Sequence, residues 1–169
     1  LTVSGNGCAS ISSPTLSTGT TSTYTATITF DGGDGEYSCY IAGTDTAGNT
    51  STSTKSVGAL TLDGNAPTLD NVTINSGADN TTSYALTIDL NGVTDNKTLT
   101  GLSGYYITDG TASTPAYNAT GWVNLFPHTN GANVTGISYT LTNDLDDNET
   151  KTVYVYLKDR ANNVSSAKT

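Results

Sequence analysis

The chain has 169 residues and a formal net charge of −9, with only 12% of its residues charged, and an isoelectric point near 4.1. So acidic a surface repels phosphate backbones and anionic lipid, which excludes nucleic acid as a partner, and no apolar run is long enough to insert in a membrane as a helix. The length suits one ordinary domain or two small ones, and a composition led by Thr, Gly, Ser and Asn, with Tyr the commonest aromatic and no Met, favours strands over helices.

In chain order, "LTVSG" opens directly as a strand and has no signal-peptide character, so an exported protein would begin here in mature or excised form. In "STYTATITF" the period of two puts Tyr24, Ala26, Ile28 and Phe30 on the buried face and Thr25, Thr27 and Thr29 on the polar one. "DGEYSCYIAG" and "KSVGALTLD" supply two further strands. Two more are expected around 67–76 and 82–90, the second carrying Tyr84, Leu86, Ile88 and Leu90 on one face. "GYYITDG", "GISYTL" with Ile137, Tyr139 and Leu141, and "TVYVYLKD" follow. In the last of these Val153, Val155 and Leu157 face the core, with Tyr154 and Tyr156 on a polar opposite side. Turn signals such as "GGDG", "GADN", "LNG", "HTNG" and "NDLDDN" separate these runs at intervals typical of β-sandwiches of the immunoglobulin-like (Ig-like) kind. Tyr37, Ile41, Leu86, Ile88, Leu141, Val153 and Val155 form the expected core.

A repeat organises the chain. Asp45 and Asp159 lie 114 residues apart, and at that spacing Tyr40, Ala47, Asn49 and Ser51 meet Tyr154, Ala161, Asn163 and Ser165. Two copies of one fold follow, with modules at 1–64 and 65–169 joined in "LTLDGNAPTLD", where Pro67 makes the join short and extended. In each copy the Asp accepts hydrogen bonds from the backbone of its own turn, and Gly48 supplies a positive φ. Asp34, Gly35, Glu36, Tyr37, Ser38 and Cys39 fit the D-x-G-x-Y-x-C corner of Ig domains.

"DGEYSCYIAGTDTAGNTS", "LTLDGNAPTL" and "GYYITDG…GWVNL…TKTVYVYLKDRANNVSS" together resemble the Ig-like modules strung in series through large bacterial surface proteins and adhesins. Asp45 to Asn49 match the D-x-A-G-N turn of those modules in full, and the second copy departs at Asn162, where Gly is usual. The resemblance implies an all-β chain of two tandem Ig-like antiparallel β-sandwich modules acting as an extracellular spacer or scaffold. The first module then lacks its N-terminal strands and the second most of its last strand. The chain is therefore either a piece of a longer array or a subunit that receives donated strands. Its partners would be neighbouring modules or identical subunits, met through β-strand edges.

In an Ig-like order Cys39 lies on strand F and Cys8 just after a neighbouring strand C, so a Cys8–Cys39 disulfide is expected, the alternative being two buried thiols in a reducing compartment. N-x-S/T sequons begin at Asn49, Asn71, Asn80, Asn96, Asn118, Asn133, Asn148 and Asn163, and are glycosylation acceptors if the host supplies the machinery. No cofactor is required by these motifs. Calcium is admitted by the acidic turns at Asp31 and Asp34 and at Asp144, Asp146 and Asp147, and by Asp63 and Asp70 around the join, none in EF-hand spacing. The bland reading of the same acids is solvated turn chemistry. Trp122 fits an alternating strand as a part-buried edge residue. Exposed beside Tyr105, Tyr106 and Tyr117, it would stack on sugar rings, which makes a carbohydrate-binding module the alternative function. His128, the sole histidine, sits in the loop sequence "FPHTNG", and the acidic pairs sit on solvated hairpin turns, so catalysis is not expected.

Overall fold

The alternating runs become antiparallel pairs in a computed structural model, which describes residues 2–6, 8–12, 15–17, 23–30, 32–51, 55–96, 101–142 and 150–169. The chain divides into two units, Leu1–Asp63 and Gly64–Thr169. Among the described residues every sheet is antiparallel, and the chain is all-β apart from one short 3₁₀ turn at Asn75–Gly77.

The first unit holds β1 (Thr2–Asn6), β2 (Cys8–Ile11), β3 (Thr15–Ser17), β4 (Thr23–Thr25), β5 (Ile28–Phe30), β6 (Gly35–Ala42) and β7 (Lys55–Leu62). Strand β6 is central in the order β1-β6-β7, while β2 pairs with β5 and β3 with β4. The single strand expected over 22–30 is therefore two strands in different sheets. The break is made by Ser12, whose N–H donates to the Thr27 carbonyl (2.9 Å) while its Oγ accepts from the Thr27 N–H (2.8 Å). Ala26 is exposed there, against expectation, whereas Ile28 and Phe30 are half-buried and Thr25, Thr27 and Thr29 exposed. Tyr37 is buried and packs its ring 5.0 Å from that of Phe30. Its hydroxyl donates to the Gly33 carbonyl, four residues upstream, as in the corner predicted from sequence. Gly32 is required beside it, because a Cβ there would collide with that hydroxyl.

Register Gly5↔Cys39 places β1 next to the second cysteine, and Cys8, three residues on, reaches it. Cys8 and Cys39 form a disulfide with Cα atoms 6.0 Å apart at a sequence separation of 31. Closing a loop of that length removes unfolded-state entropy equivalent to about 3.5 kcal/mol. A small unit whose apolar Leu60 and Leu62 stay exposed depends on that contribution.

The second unit holds β8 (Thr68–Ile74), β9 (Ala85–Thr94), β10 (Leu102–Thr108), β11 (Val123–Asn124), β12 (Val134–Thr140) and β13 (Tyr154–Asp159). Sheet β12-β9-β8 faces sheet β11-β10-β13. Leu86, Ile88, Leu90 and Val93 from the first sheet pack with Leu102, Val153, Val155 and Leu157 from the second and with Leu141. Of the expected core residues, Ile41 alone is half-buried, the other six being buried, and Tyr84 lies exposed just before β9 begins. Burial in β9 passes from even positions to Val93 across Gly92, whose φ is +64°. The Asp70 carboxylate fills the space where a Cβ at Gly92 would stand.

Strand β13 departs most from its sequence reading. Its outer face is not polar: Tyr156 is as buried as Val155 and Leu157. The chain between β10 and β11 folds back over that face. Tyr106 on β10 packs against Tyr156 (6.4 Å) and Trp122 (5.6 Å), and the Lys158 ammonium donates to the Tyr117 carbonyl (2.9 Å). Gly121, at φ +103°, is what allows so close a return, since a Cβ there would stand 2.8 Å from the Tyr106 ring.

Burial on both faces predicts equal costs for truncating either. Tyr156→Ala and Leu157→Ala should each destabilise the second unit by about 3 kcal/mol or more, read from urea denaturation followed by fluorescence of the single tryptophan, Trp122. A loss below about 1 kcal/mol for Tyr156→Ala would return the outer face to solvent.

Candidate functional site

The two Asp turns are built alike. Asp45 Oδ1 accepts from the N–H groups of Ala47 (2.9 Å) and Asn49 (2.8 Å), and its Oδ2 from Asn49 Nδ2 (2.9 Å). In the second copy Asp159 Oδ1 accepts from the Asn163 N–H (2.9 Å) and Oδ2 from Asn163 Nδ2 (2.7 Å). The flanking residues repeat as well. Gly43 and Leu157 each donate an N–H to the following serine hydroxyl, Ser51 Oγ at 3.2 Å and Ser165 Oγ at 2.9 Å, and each accepts that serine's N–H. Bridges Thr44↔Thr50 and Lys158↔Val164 complete the correspondence at the interval of 114 residues. Asn162 takes φ +77° where Gly48 takes +90°, so the departure from the motif is accommodated by the tolerance of Asn for the left-handed region.

The copies differ in burial. Asp45 is exposed, and hydrogen bonds from the Asn49 side chain and backbone hold its carboxyl below the ordinary range. Asp159 is buried. Asp95 at the end of β9 is buried as well, and one carboxylate oxygen from each of the two lies within 4.8 Å of the other. Buried carboxylates so close repel unless a proton, a cation or hydrogen-bond donors offset their charge. Hard oxygen donors at this spacing are the calcium type. A shallow depression beside them is lined by Asn65, Ala66, Thr68, Thr94, Asp95 and Asn96. Asp95 is positioned by Asn130, whose side chain accepts the Asp95 N–H (2.7 Å) and donates to the Asp95 carbonyl (2.9 Å).

Of the acids singled out from sequence, Asp63 is buried at the end of the first unit. Asp34 lies half-buried before β6, Asp70 is exposed against Gly92, and Asp31, Asp144, Asp146 and Asp147 lie outside the described residues. Asp95 and Asp159 escaped the reading as ligands: Asp159 already had a turn to close, and Asp95 is remote from it in sequence. Asp109 escaped too. It is buried between the ends of β10 and β12, and accepts from the Tyr139 hydroxyl (2.8 Å), the Thr142 N–H (2.8 Å) and the Thr142 hydroxyl (2.6 Å). Burial and that carboxylate push the Tyr139 phenol up to about 12.

Trp122 is half-buried and precedes β11, which is only two residues long. Its Nε1 donates to the Ala116 carbonyl (2.9 Å), and the Lys158 ammonium stands 4.8 Å over the ring. The ring thus roofs Tyr106, and the face beneath Lys158 is taken by a cation–π contact. Tyr117, Val123 and Phe126 are the exposed apolar groups nearby in sequence, with the Arg160 guanidinium 4.6 Å over Phe126.

His128 is not the solvated loop tip its sequence suggests. Both ring nitrogens are buried and neither has a hydrogen-bond partner among the described residues, and burial lowers its pKa from the ordinary 6.5.

No family model, no curated protein and no solved structure matches this chain.

Two predictions follow from this geometry. Millimolar calcium is expected to raise the melting temperature of the chain above its value in chelator, by the linkage between binding and folding, and Asp95→Asn to remove the rise; identical melts would leave the carboxylates without a calcium role. His128 gives a pH dependence of known sign. Its folded pKa lies below the unfolded value, so its contribution is intact above about pH 6.5 and is lost as pH falls through the folded pKa. The urea midpoint should therefore fall between pH 7 and pH 5, and fall less in His128→Leu.

Proposed function

We propose that the chain is a non-enzymatic structural segment, two Ig-like modules in tandem, serving as a spacer in an extracellular surface adhesin, fibre or filament of bacterial type. The observation that carries this reading is the recurrence of one Asp–Asn hydrogen-bonded turn at Asp45–Asn49 and Asp159–Asn163 in two separate units. Serial repetition of one small module is how a chain gains length without gaining a larger core. The Cys8–Cys39 disulfide is compatible with an oxidising, extracytoplasmic setting. Calcium held by the buried carboxylates would suit that setting.

Assembly through strand edges belongs to the same reading. Strand β6 is flanked by β1 and β7, whereas its counterpart β13 ends its sheet in the order β11-β10-β13, with a bridge from Val155 to Lys168 on the outer side. Residues 164–168 already take the outward backbone groups of Val155 and Leu157, so a strand donated by a neighbouring module or subunit would have to displace that segment from the edge. The carbohydrate-binding alternative draws no support from Trp122, whose ring is engaged by Tyr106 and Lys158.

Mechanical unfolding tests the spacer reading. Pulled from its ends, the chain should show two separate force peaks, one per unit. Reductant should lengthen the extension released by the first unit by roughly 100 Å, the span of the sequence separation of 31 between the cysteines at about 3.4 Å per residue. Extension without resolved peaks would rule out a load-bearing spacer.

A further inference from the structure

The sequons are not equivalent once folded. Asn49 and Asn163 spend their side-chain amides on Asp45 and Asp159 inside the repeated turns, and Ser51, the hydroxyl residue of the first of these sequons, accepts the Gly43 N–H. Asn71 lies within β8 in register with Asn91, and its Thr73 hydroxyl accepts from Asn91 Nδ2 (3.1 Å). Asn133 accepts the Gly92 N–H (3.0 Å) and leads straight into β12. Each of these sequons is bound into a turn or a sheet that a bulky saccharide and its transferring enzyme would have to open.

Asn80 and Asn118 differ on every count. Asn80 lies in the exposed stretch between the 3₁₀ turn and β9, with Thr82 also exposed. Asn118 lies on the outer connection between β10 and β11, with Thr120 exposed two residues on and a turn closed by the Ala119 N–H on the Ala116 carbonyl (2.9 Å). Neither asparagine side chain makes a hydrogen bond among the described residues. We infer that, of the sequons that lie wholly within the described residues, Asn80 and Asn118 are the sites at which this chain takes N-linked oligosaccharide. The donor class is a lipid-linked oligosaccharyl pyrophosphate. The amide Nδ2 attacks the anomeric carbon, the N–C bond forms as the C–O bond to pyrophosphate breaks, one amide proton passes to a base of the transferase, and the lipid pyrophosphate leaves. A sugar on either site extends into solvent and displaces no contact of the fold.

The test is secretion of the full chain from a eukaryotic cell line that carries an oligosaccharyltransferase, with sites mapped by amidase treatment in heavy-oxygen water. Glycan at both Asn80 and Asn118, with Asn49, Asn71, Asn133 and Asn163 unmodified, is the expected result. Asn80→Gln and Asn118→Gln should each remove one glycan from the intact mass, and Thr82→Ala and Thr120→Ala should do the same while keeping each asparagine. All four variants should melt with the unmodified chain, because the substituted side chains are exposed. An unmodified Asn80 or Asn118, or glycan at Asn49, Asn71, Asn133 or Asn163, would overturn the assignment.

Discussion

The second unit depends on the burial of one short strand from both sides. Val155 and Leu157 point into the sandwich, and Tyr156 points the other way into a layer made by Tyr106 and Trp122. Because β13 is enclosed, its remaining backbone groups and its one carboxylate must find partners inside the protein. They do so through the residues that follow. Leu157 exchanges hydrogen bonds with Ser165, Asp159 closes on Asn163, and Val155 exchanges both its backbone groups with Lys168. In the second unit the turn motif is thus the means by which a buried strand end is satisfied.

The difference between the two copies shows what burial adds to a local motif. Around Asp45 the carboxylate faces water, and its hydrogen bonds to Asn49 shape a turn that the surroundings neither strain nor protect. Around Asp159 the same bonds are made in the interior, beside the buried carboxylate of Asp95. Identical local chemistry therefore yields an ordinary exposed turn in one unit and a charged, enclosed site in the other. The sequence motif cannot distinguish them, because burial is set by what the rest of the chain lays over each turn.

Polar clasps also close the second unit where apolar contacts run out. Asp109 ties the end of β10 to the residues after β12 through Tyr139 and Thr142, and Asn130 holds the backbone of Asp95 on both sides. Each clasp substitutes for strand pairing at a place where a loop replaces a ladder. In the first unit a covalent bond from Cys8 to Cys39 takes that part, consistent with a smaller unit that leaves Leu60 and Leu62 exposed.

By itself the sequence determined the all-β character, the faces of β9 and β12, the tyrosine corner at Tyr37, the cysteine pair and the repeated turn. Each depends on residues close in sequence or on a period of two that the pleat enforces whatever surrounds it. Only the tertiary structure decided the rest. The outer face of β13 is buried because the connection carrying Trp122 returns over it, a path no periodicity encodes. The stretch 22–30 is divided because Ser12, far off in sequence, takes the hydrogen bonds of Thr27. Asp95 and Asp159 meet because the packing of the second unit brings together segments widely separated along the chain. Long-range contacts of this kind are set by how layers stack and where loops return, so their physical cause lies in packing rather than in any local run of residues.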